Sequence, residues 1–330
     1  MATKKRYQVD LSLPQEERWI EIINDHREAI KEVFIWYNDQ KSKGGVLYST
    51  AEYILEKAHD QGLIAYGKEI AAIADQLKIK RGSVLALQFI YEANACCTSV
   101  IARKDQNGTI HHFRTMDWDL SVLKKLTIVV DFYRDKKRVF STVTWAGYVG
   151  IFTGMRTAGS ESWAIAVNFR RTPKTGSLLN NMQNAISGNW PIGFLVRNTL
   201  ASSYTFKEAE KVFSEESLIS PTYFSISGIN KIEGVILARS STKLVSRRSI
   251  DQNGYLIQTN IDFDKLKDPD DPNILRSKER HWAVDEKLKK QKYIDEESLR
   301  SLTSLPLVNN DITVYKVYMC AAEERIELIN

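Results

Sequence analysis

Cys96 and Cys97, followed by Thr98-Ser99-Val100 and then by Arg114 and Asp117, bring a thiol, a permanent cation and a carboxylate into about one hairpin of chain. A thiol attacks efficiently only as its thiolate, and a nearby positive charge or base produces that form. The chemistry these residues could perform is therefore hydrolysis through a cysteine nucleophile.

The hairpin follows from local signals. Residues 98–102 are rich in β-branched and apolar types, Asn107-Gly108 is a two-residue turn signal, and residues 109–116 resume an extended pattern. With Asn107 and Gly108 at the tip, Cys97 would face Trp118 across the ladder and share a sheet face with Arg114. Asp117 has the opposite parity, so bringing it to the same site requires a bulge or strand end near Met116.

Around this hairpin the chain changes character. Residues 14–95 read mostly as helix, with Trp19, Ile22, Ile23, His26, Ile30, Val33, Phe34 and Tyr37 at helical spacing until Gly44-Gly45 breaks the run. Further helices are expected over 50–61, 66–77 and 82–94. From Cys97 onward extended segments dominate, at 126–133, 138–145, 150–153, 163–169, 223–228, 234–239, 255–259 and 312–320, interrupted by helical stretches at 180–202 and 206–217. Strands and helices in blocks point to α+β layers rather than alternating βαβ units.

Composition narrows the classes. The 330 residues can bury a sizeable core, and 43% hydrophobic with 26% charged residues is ordinary for a globular chain. A net charge of +5 is modest, and the basic runs at 136–138 and 287–292 read as solvated turns or helix faces, not as a nucleic-acid site. Peripheral contact with anionic membrane surfaces stays open. Three cysteines, two of them adjacent, make no disulfide framework. Met1-Ala2-Thr3-Lys4-Lys5-Arg6 is not followed by an apolar run, so the expectation is a cytoplasmic protein without a secretory signal. The five histidines lack metal-ligand spacing, and no metal or other cofactor is expected. Residues 62–68 match most of a phosphate-binding loop, but Glu69 stands where a Ser or Thr must hold magnesium and no strand is expected before it.

Several blocks taken in order resemble the acid ceramidase and N-acylethanolamine acid amidase family. They are Cys97-Thr98-Ser99-Val100-Ile101-Ala102, Arg114-Thr115-Met116-Asp117, Trp145-Ala146-Gly147-Tyr148-Val149-Gly150 with Thr153-Gly154, Glu233-Gly234-Val235-Ile236, and Gln258-Thr259-Asn260-Ile261-Asp262. The resemblance implies an αββα sandwich of the N-terminal-nucleophile hydrolase type, with an N-terminal helical segment. It also implies a precursor cut between Cys96 and Cys97, giving a helical α-subunit (1–96) and a catalytic β-subunit (97–330) held together without a covalent link.

On that resemblance the freed amine of Cys97 would serve as base. Its reference pKa of roughly 7.7–8.0 against about 8.5 for a thiol suits it to take the proton and return it to the leaving amine. Asp117 would orient the amine, Arg114 would favour the thiolate, and Asn260, with Asn168 as second candidate, would donate to the oxyanion. Arg280 resembles the family's second site arginine, with Arg276 as the alternative match. Trp145, Tyr148 and Trp190 would line the rim for the acyl tail of a lipid N-acyl amide substrate. Phe169 departs from the pattern, because relatives carry there an acidic residue implicated in self-cleavage. That departure leaves a second reading standing, an uncut and catalytically silent lipid-binding member of the same fold.

Overall fold

Two sheets stack face to face between helical layers in the computed structural model, which describes residues 5–90, 96–103, 108–171, 178–202, 204–250, 254–267, 272–291 and 294–329. The strands in chain order are β1 (Arg6–Asp10), β2 (Cys96–Arg103), β3 (Ile110–Asp117), β4 (Thr127–Arg134), β5 (Lys137–Trp145), β6 (Thr153–Arg156), β7 (Trp163–Phe169), β8 (Thr222–Ser227), β9 (Gly234–Arg239), β10 (Leu244–Ser249), β11 (Tyr255–Gln258), β12 (Thr313–Cys320) and β13 (Arg325–Leu328). Among the described residues they form an eight-stranded sheet, β1-β4-β5-β6-β7-β8-β9-β10, and a five-stranded sheet, β11-β2-β3-β12-β13. The helices are α1 (Ile20–Gly44), α2 (Val46–Asp60), α3 (Gly67–Leu77), α4 (Arg81–Ile90), α5 (Val122–Leu126), α6 (Leu178–Ile186), α7 (Ile192–Ala201), α8 (Phe206–Glu215), α9 (Pro272–Lys289) and α10 (Glu296–Arg300).

Burial explains the layering. β3, β8 and β9 are buried at every residue, as strands covered on both faces must be. Helices α7 and α8 pack on the eight-stranded sheet, while α9 and α10 cover the five-stranded one, giving the expected αββα order. β10 is largely exposed and carries Arg247 and Arg248, a charged edge that discourages pairing with another chain. Its polar sequence lacks the apolar alternation that would have marked it as a strand.

Local signals set most element ends. Gly45, at φ 56°, stops α1, and a reciprocal capping box between Thr205 and Glu208 starts α8. The single helical stretch expected over 180–202 is two helices, α6 and α7, separated where Gly188 takes φ 88° and Pro191 precedes α7. The strand expected at 150–153 begins only at Thr153, and the helix expected to reach residue 94 is described to Ile90, the remainder lying outside the described residues.

The N-terminal segment is more than helix. β1 pairs in parallel with β4, burying Tyr7 and Val9 on one face, and Arg6 grips Asp131 through Nε (2.5 Å) and Nη2 (2.7 Å). A second tie is Glu69 on α3, wholly buried. Arg197 on α7 holds it with Nη1 at 2.6 Å and Nη2 at 2.9 Å, joined by Arg18 Nη1 (2.9 Å) and Trp19 Nε1 (2.6 Å). The residue that spoils the phosphate-loop pattern is thus the anchor of a buried ion cluster between the segments before and after Cys97.

Burial on its own would raise the Glu69 pKa, but the Arg197 charge and hydrogen bonds, with those of Trp19 and Arg18, hold it below the ordinary carboxylate value. Glu69→Ala leaves two arginines facing a buried void and should cost about 3–5 kcal/mol in urea unfolding. Because the folded-state pKa is depressed, this contribution is complete above the unfolded carboxyl pKa and is lost as the pH falls through the folded value. The stability gap between wild type and Glu69→Ala should therefore narrow on acidification; a gap unchanged down to strongly acid pH would contradict this account.

Candidate active site

β2 and β3 form the expected hairpin, but with a different register. Cys97 lies opposite Met116, Ser99 opposite Arg114 and Arg103 opposite Ile110, so the ladder ends at Arg103 and Ile110 rather than at a two-residue turn of Asn107 and Gly108. Gly108 adopts φ 69° on the return side of the hairpin; Asn107 lies outside the described residues. The shift is by two positions, and a period-two strand keeps every side chain on its face. Cys97 and Arg114 accordingly share the face turned toward the eight-stranded sheet.

Arg114 is fully buried and held through both terminal nitrogens. Its Nη1 donates to the Phe152 carbonyl (3.1 Å), the Tyr315 hydroxyl (2.9 Å) and the Thr153 hydroxyl, while Nη2 donates to the Val167 carbonyl (2.9 Å) and to Cys97 Sγ (3.2 Å). The guanidinium also lies 5.3 Å from the centre of the Tyr315 ring. A cation fixed by neutral oxygens keeps its charge available for the one group that can become an anion, the thiol. Burial nevertheless raises the Cys97 pKa above the ordinary cysteine value, outweighing Arg114, and Met116 Sδ sits 3.6 Å from the sulfur.

The backbone of Cys97 is gripped separately. Its N–H donates to Asn260 Oδ1 at 2.8 Å, and its carbonyl accepts from Arg280 Nη1 at 2.8 Å. Arg280 Nη2 also donates to Asn260 Oδ1 (2.8 Å), and Asn260 Nδ2 donates to the Phe169 carbonyl (2.8 Å). Two donors on one atom and a carbonyl opposite the other fix which way this amide points. Arg280 is therefore the arginine that meets Cys97, and Arg276, on the same helix, is exposed.

Asp117 reaches this group from the other side of the sheet. β3 ends at Asp117, but no bulge near Met116 turns it to the Arg114 face, since the β2–β3 register is unbroken; the only shift in its pairing is with β12, between Thr313 and Tyr315, and the Thr313 hydroxyl stands 2.7 Å from Asp117 Oδ1. Asp117 Oδ2 lies 3.8 Å from Arg280 Nη1, so the carboxylate joins the Cys97 carbonyl through a shared guanidinium. Burial pushes the Asp117 pKa up, opposed by the Thr313 bond and the Arg280 charge.

Other expected site residues fall elsewhere. Asn168 accepts from Ser99 Oγ (2.6 Å) and spends Nδ2 on the Gln258 (2.8 Å) and Thr259 (3.4 Å) carbonyls, tying the two sheets together rather than facing the sulfur. Trp145 and Tyr148 are buried inside an aromatic cluster with Trp118, Phe152 and Tyr315, so neither forms a solvent-facing rim. Trp190 is half-buried and borders a cavity of about 140 Å³ with Leu63, Phe89 and Phe194. Cys96, intermediate in exposure, has Arg171 Nη2 3.8 Å from its sulfur. Thr153, Tyr315 and Thr313 are contacts of the site residues that spacing did not reveal, since their place depends on register across strands distant in sequence. Among the described residues no three His, Cys, Asp or Glu side chains converge as a metal site would need, and no helix is long and apolar enough to cross a membrane.

Comparison with known proteins bears on the family and the fold. A family model described as the beta subunit of N-acylethanolamine-hydrolyzing acid amidase matches residues 3–40, within the segment named the α-subunit above. The N-acylethanolamine-hydrolyzing acid amidase of Caenorhabditis elegans is 28% identical over 343 residues, covering 96% of this chain and 88% of its own. Acid ceramidase of Heterocephalus glaber is 26% identical over 345 residues, covering 97% and 84%. An uncharacterized protein of Acanthamoeba polyphaga mimivirus is 30% identical over 318 residues, covering 92% and 93%. Among solved structures, the C. elegans N-acylethanolamine-hydrolyzing acid amidase ortholog superposes with a TM-score of 0.59 at 27% identity, covering 71% of this chain and 100% of its own. With its αββα sandwich of the N-terminal-nucleophile hydrolase fold, this chain belongs to the acid ceramidase and N-acylethanolamine acid amidase family.

Proposed function

We propose that the protein hydrolyses the amide bond of N-acylated lipids, ceramide-like or N-acylethanolamine-like, with Cys97 as nucleophile after the chain is cut between Cys96 and Cys97. The observation that carries this reading is the convergence of Arg114, Asn260 and Arg280 on the three polar positions of Cys97. The activities for which the relatives are named supply the substrate class. The cut would divide the chain into residues 1–96 and 97–330.

In the cut protein the new amine of Cys97 keeps Asn260 Oδ1 as acceptor and takes the thiol proton, while Arg114 stabilises the sulfur anion. Sulfur bonds to the amide carbon, the tetrahedral oxyanion collapses, the C–N bond breaks, and the leaving amine receives the proton from the Cys97 amine. Water then cleaves the thioester and releases the fatty acid. Asn260 is the amide that meets Cys97 directly, through Oδ1, and for that proximity it remains the first choice as oxyanion donor, its Nδ2 turning from the Phe169 carbonyl to donate; Asn168 Nδ2 is held by two backbone carbonyls. Apolar walls for the acyl chain are available in the cavity beside Trp190, built from both segments by Leu63, Phe89 and Phe194. The buried, protonated thiol of the continuous chain is what an inactive precursor requires.

A panel of N-acyl amides varied in head group and chain length tests the reading. Turnover should fall by at least about a thousandfold in Cys97→Ala, the usual loss on removing a nucleophile; unchanged turnover would assign the chemistry to another residue. Alkylation gives an independent check. In the continuous chain iodoacetamide should modify half-exposed Cys96 ahead of buried Cys97, and cutting should speed Cys97 labelling by about tenfold or more. Equal labelling of Cys97 before and after the cut would contradict the proposed activation.

A further inference from the structure

Gln88 lies on a buried face of α4, where an apolar residue would pack as well and cost nothing in desolvation. Its amide is used on both sides. Nε2 donates to the Gly147 carbonyl (2.9 Å), and Oε1 accepts from the Val149 N–H (3.0 Å). Gly147 adopts φ 90°, so the chain turns there, and one side chain satisfies two backbone groups of the turn that no strand neighbour could reach.

The same turn receives a second hold from α7, backed by Glu69 and Ile30 of the N-terminal segment. Arg197 Nη1 donates to the Val149 carbonyl (3.0 Å) while its guanidinium is clamped by Glu69. Ile30 packs 3.6 Å from where a Cβ at Gly147 would stand. A few residues on, this loop supplies the Phe152 carbonyl and the Thr153 hydroxyl that hold Arg114 Nη1. The route from Gln88 to the thiol is thus contiguous: amide to turn, turn to Arg114, Arg114 to Cys97.

We propose that Gln88 is a positioning residue of the Cys97 site, acting through the 146–153 loop on Arg114, so that the N-terminal segment remains part of the catalytic geometry after the chain is cut. This rests on the reading of Cys97 as nucleophile. Without the amide the loop loses its fixed position, Arg114 loses the oxygens that aim it, and the thiolate is less well stabilised. Gln88 itself does not line the cavity beside Trp190, so the effect should fall on kcat and on the thiol rather than on KM.

The test uses the full-length protein after maturation, with Gln88→Met as a near-isosteric variant lacking the amide. Its kcat on the preferred N-acyl amide should fall by at least about tenfold with KM within about twofold, as expected for a displaced catalytic group. The pH midpoint of Cys97 alkylation, followed by mass spectrometry, should rise by about half a unit or more. Val84→Ala on the same helix is the control for packing loss and should lower the melting temperature without moving either readout. Should Gln88→Met fail to accumulate, Gln88→Asn keeps a polar group but is too short to bridge Gly147 and Val149, and the same two readouts decide. Kinetics and an alkylation profile in Gln88→Met or Gln88→Asn that match the Val84→Ala control would overturn the positioning role while leaving the nucleophile assignment intact. Turnover that survives Cys97→Ala would overturn both.

Discussion

Every polar position of Cys97 is engaged by a different part of the fold, and the rest of the architecture can be understood as what holds those partners in place. Arg114 comes from the adjacent strand, Asn260 from the end of β11, and Arg280 from the helix covering the outer face of the five-stranded sheet. Two of the three come from the five-stranded sheet that carries Cys97, one on each side of β2, and the third from the helix that covers that sheet.

Electrostatics explains the state in which the site is found. A guanidinium with no carboxylate in its immediate shell, bound instead by Phe152, Val167, Thr153 and Tyr315 oxygens, is expensive to bury but leaves its field directed at the sulfur. Complete burial of Cys97 outweighs that field and keeps the thiol protonated. Asp117 is displaced upward for the same reason, despite Thr313 and Arg280. On the proposed mechanism the constellation is assembled but silent while the peptide bond before Cys97 is intact, since its nitrogen is then an amide without basicity.

Much of this was legible in the sequence, and the failures share a cause. β7 and β9 fall at the expected bounds because their apolar runs are uninterrupted, and β2 with β3 was recognisable from β-branched residues flanking a glycine turn. Face assignments survived a two-residue error in register because strand periodicity is two. β1, β10 and β13 were not recognised: β10 is exposed and charged, β1 is short and pairs with β4 far along the chain, and β13 is a four-residue edge strand paired with the adjacent β12. The site behaves likewise. Cys97, Arg114 and Asp117 are close in sequence and stand out, whereas Thr153, Tyr315, Thr313 and Gln88 acquire meaning only through tertiary contacts. Asn168 and Trp145 illustrate the converse, residues of suitable chemistry whose surroundings commit them to cross-sheet bonding and core packing.

The central claim is that the Cys97 amine, absent from the continuous chain, is the base that makes the thiol a nucleophile. Intact-mass analysis with N-terminal sequencing, performed on samples taken as amidase activity develops, tests it most directly. The account predicts that activity rises in proportion to a fragment whose first residue is Cys97. Full activity in a chain still joined through Cys96 and Cys97 would contradict it.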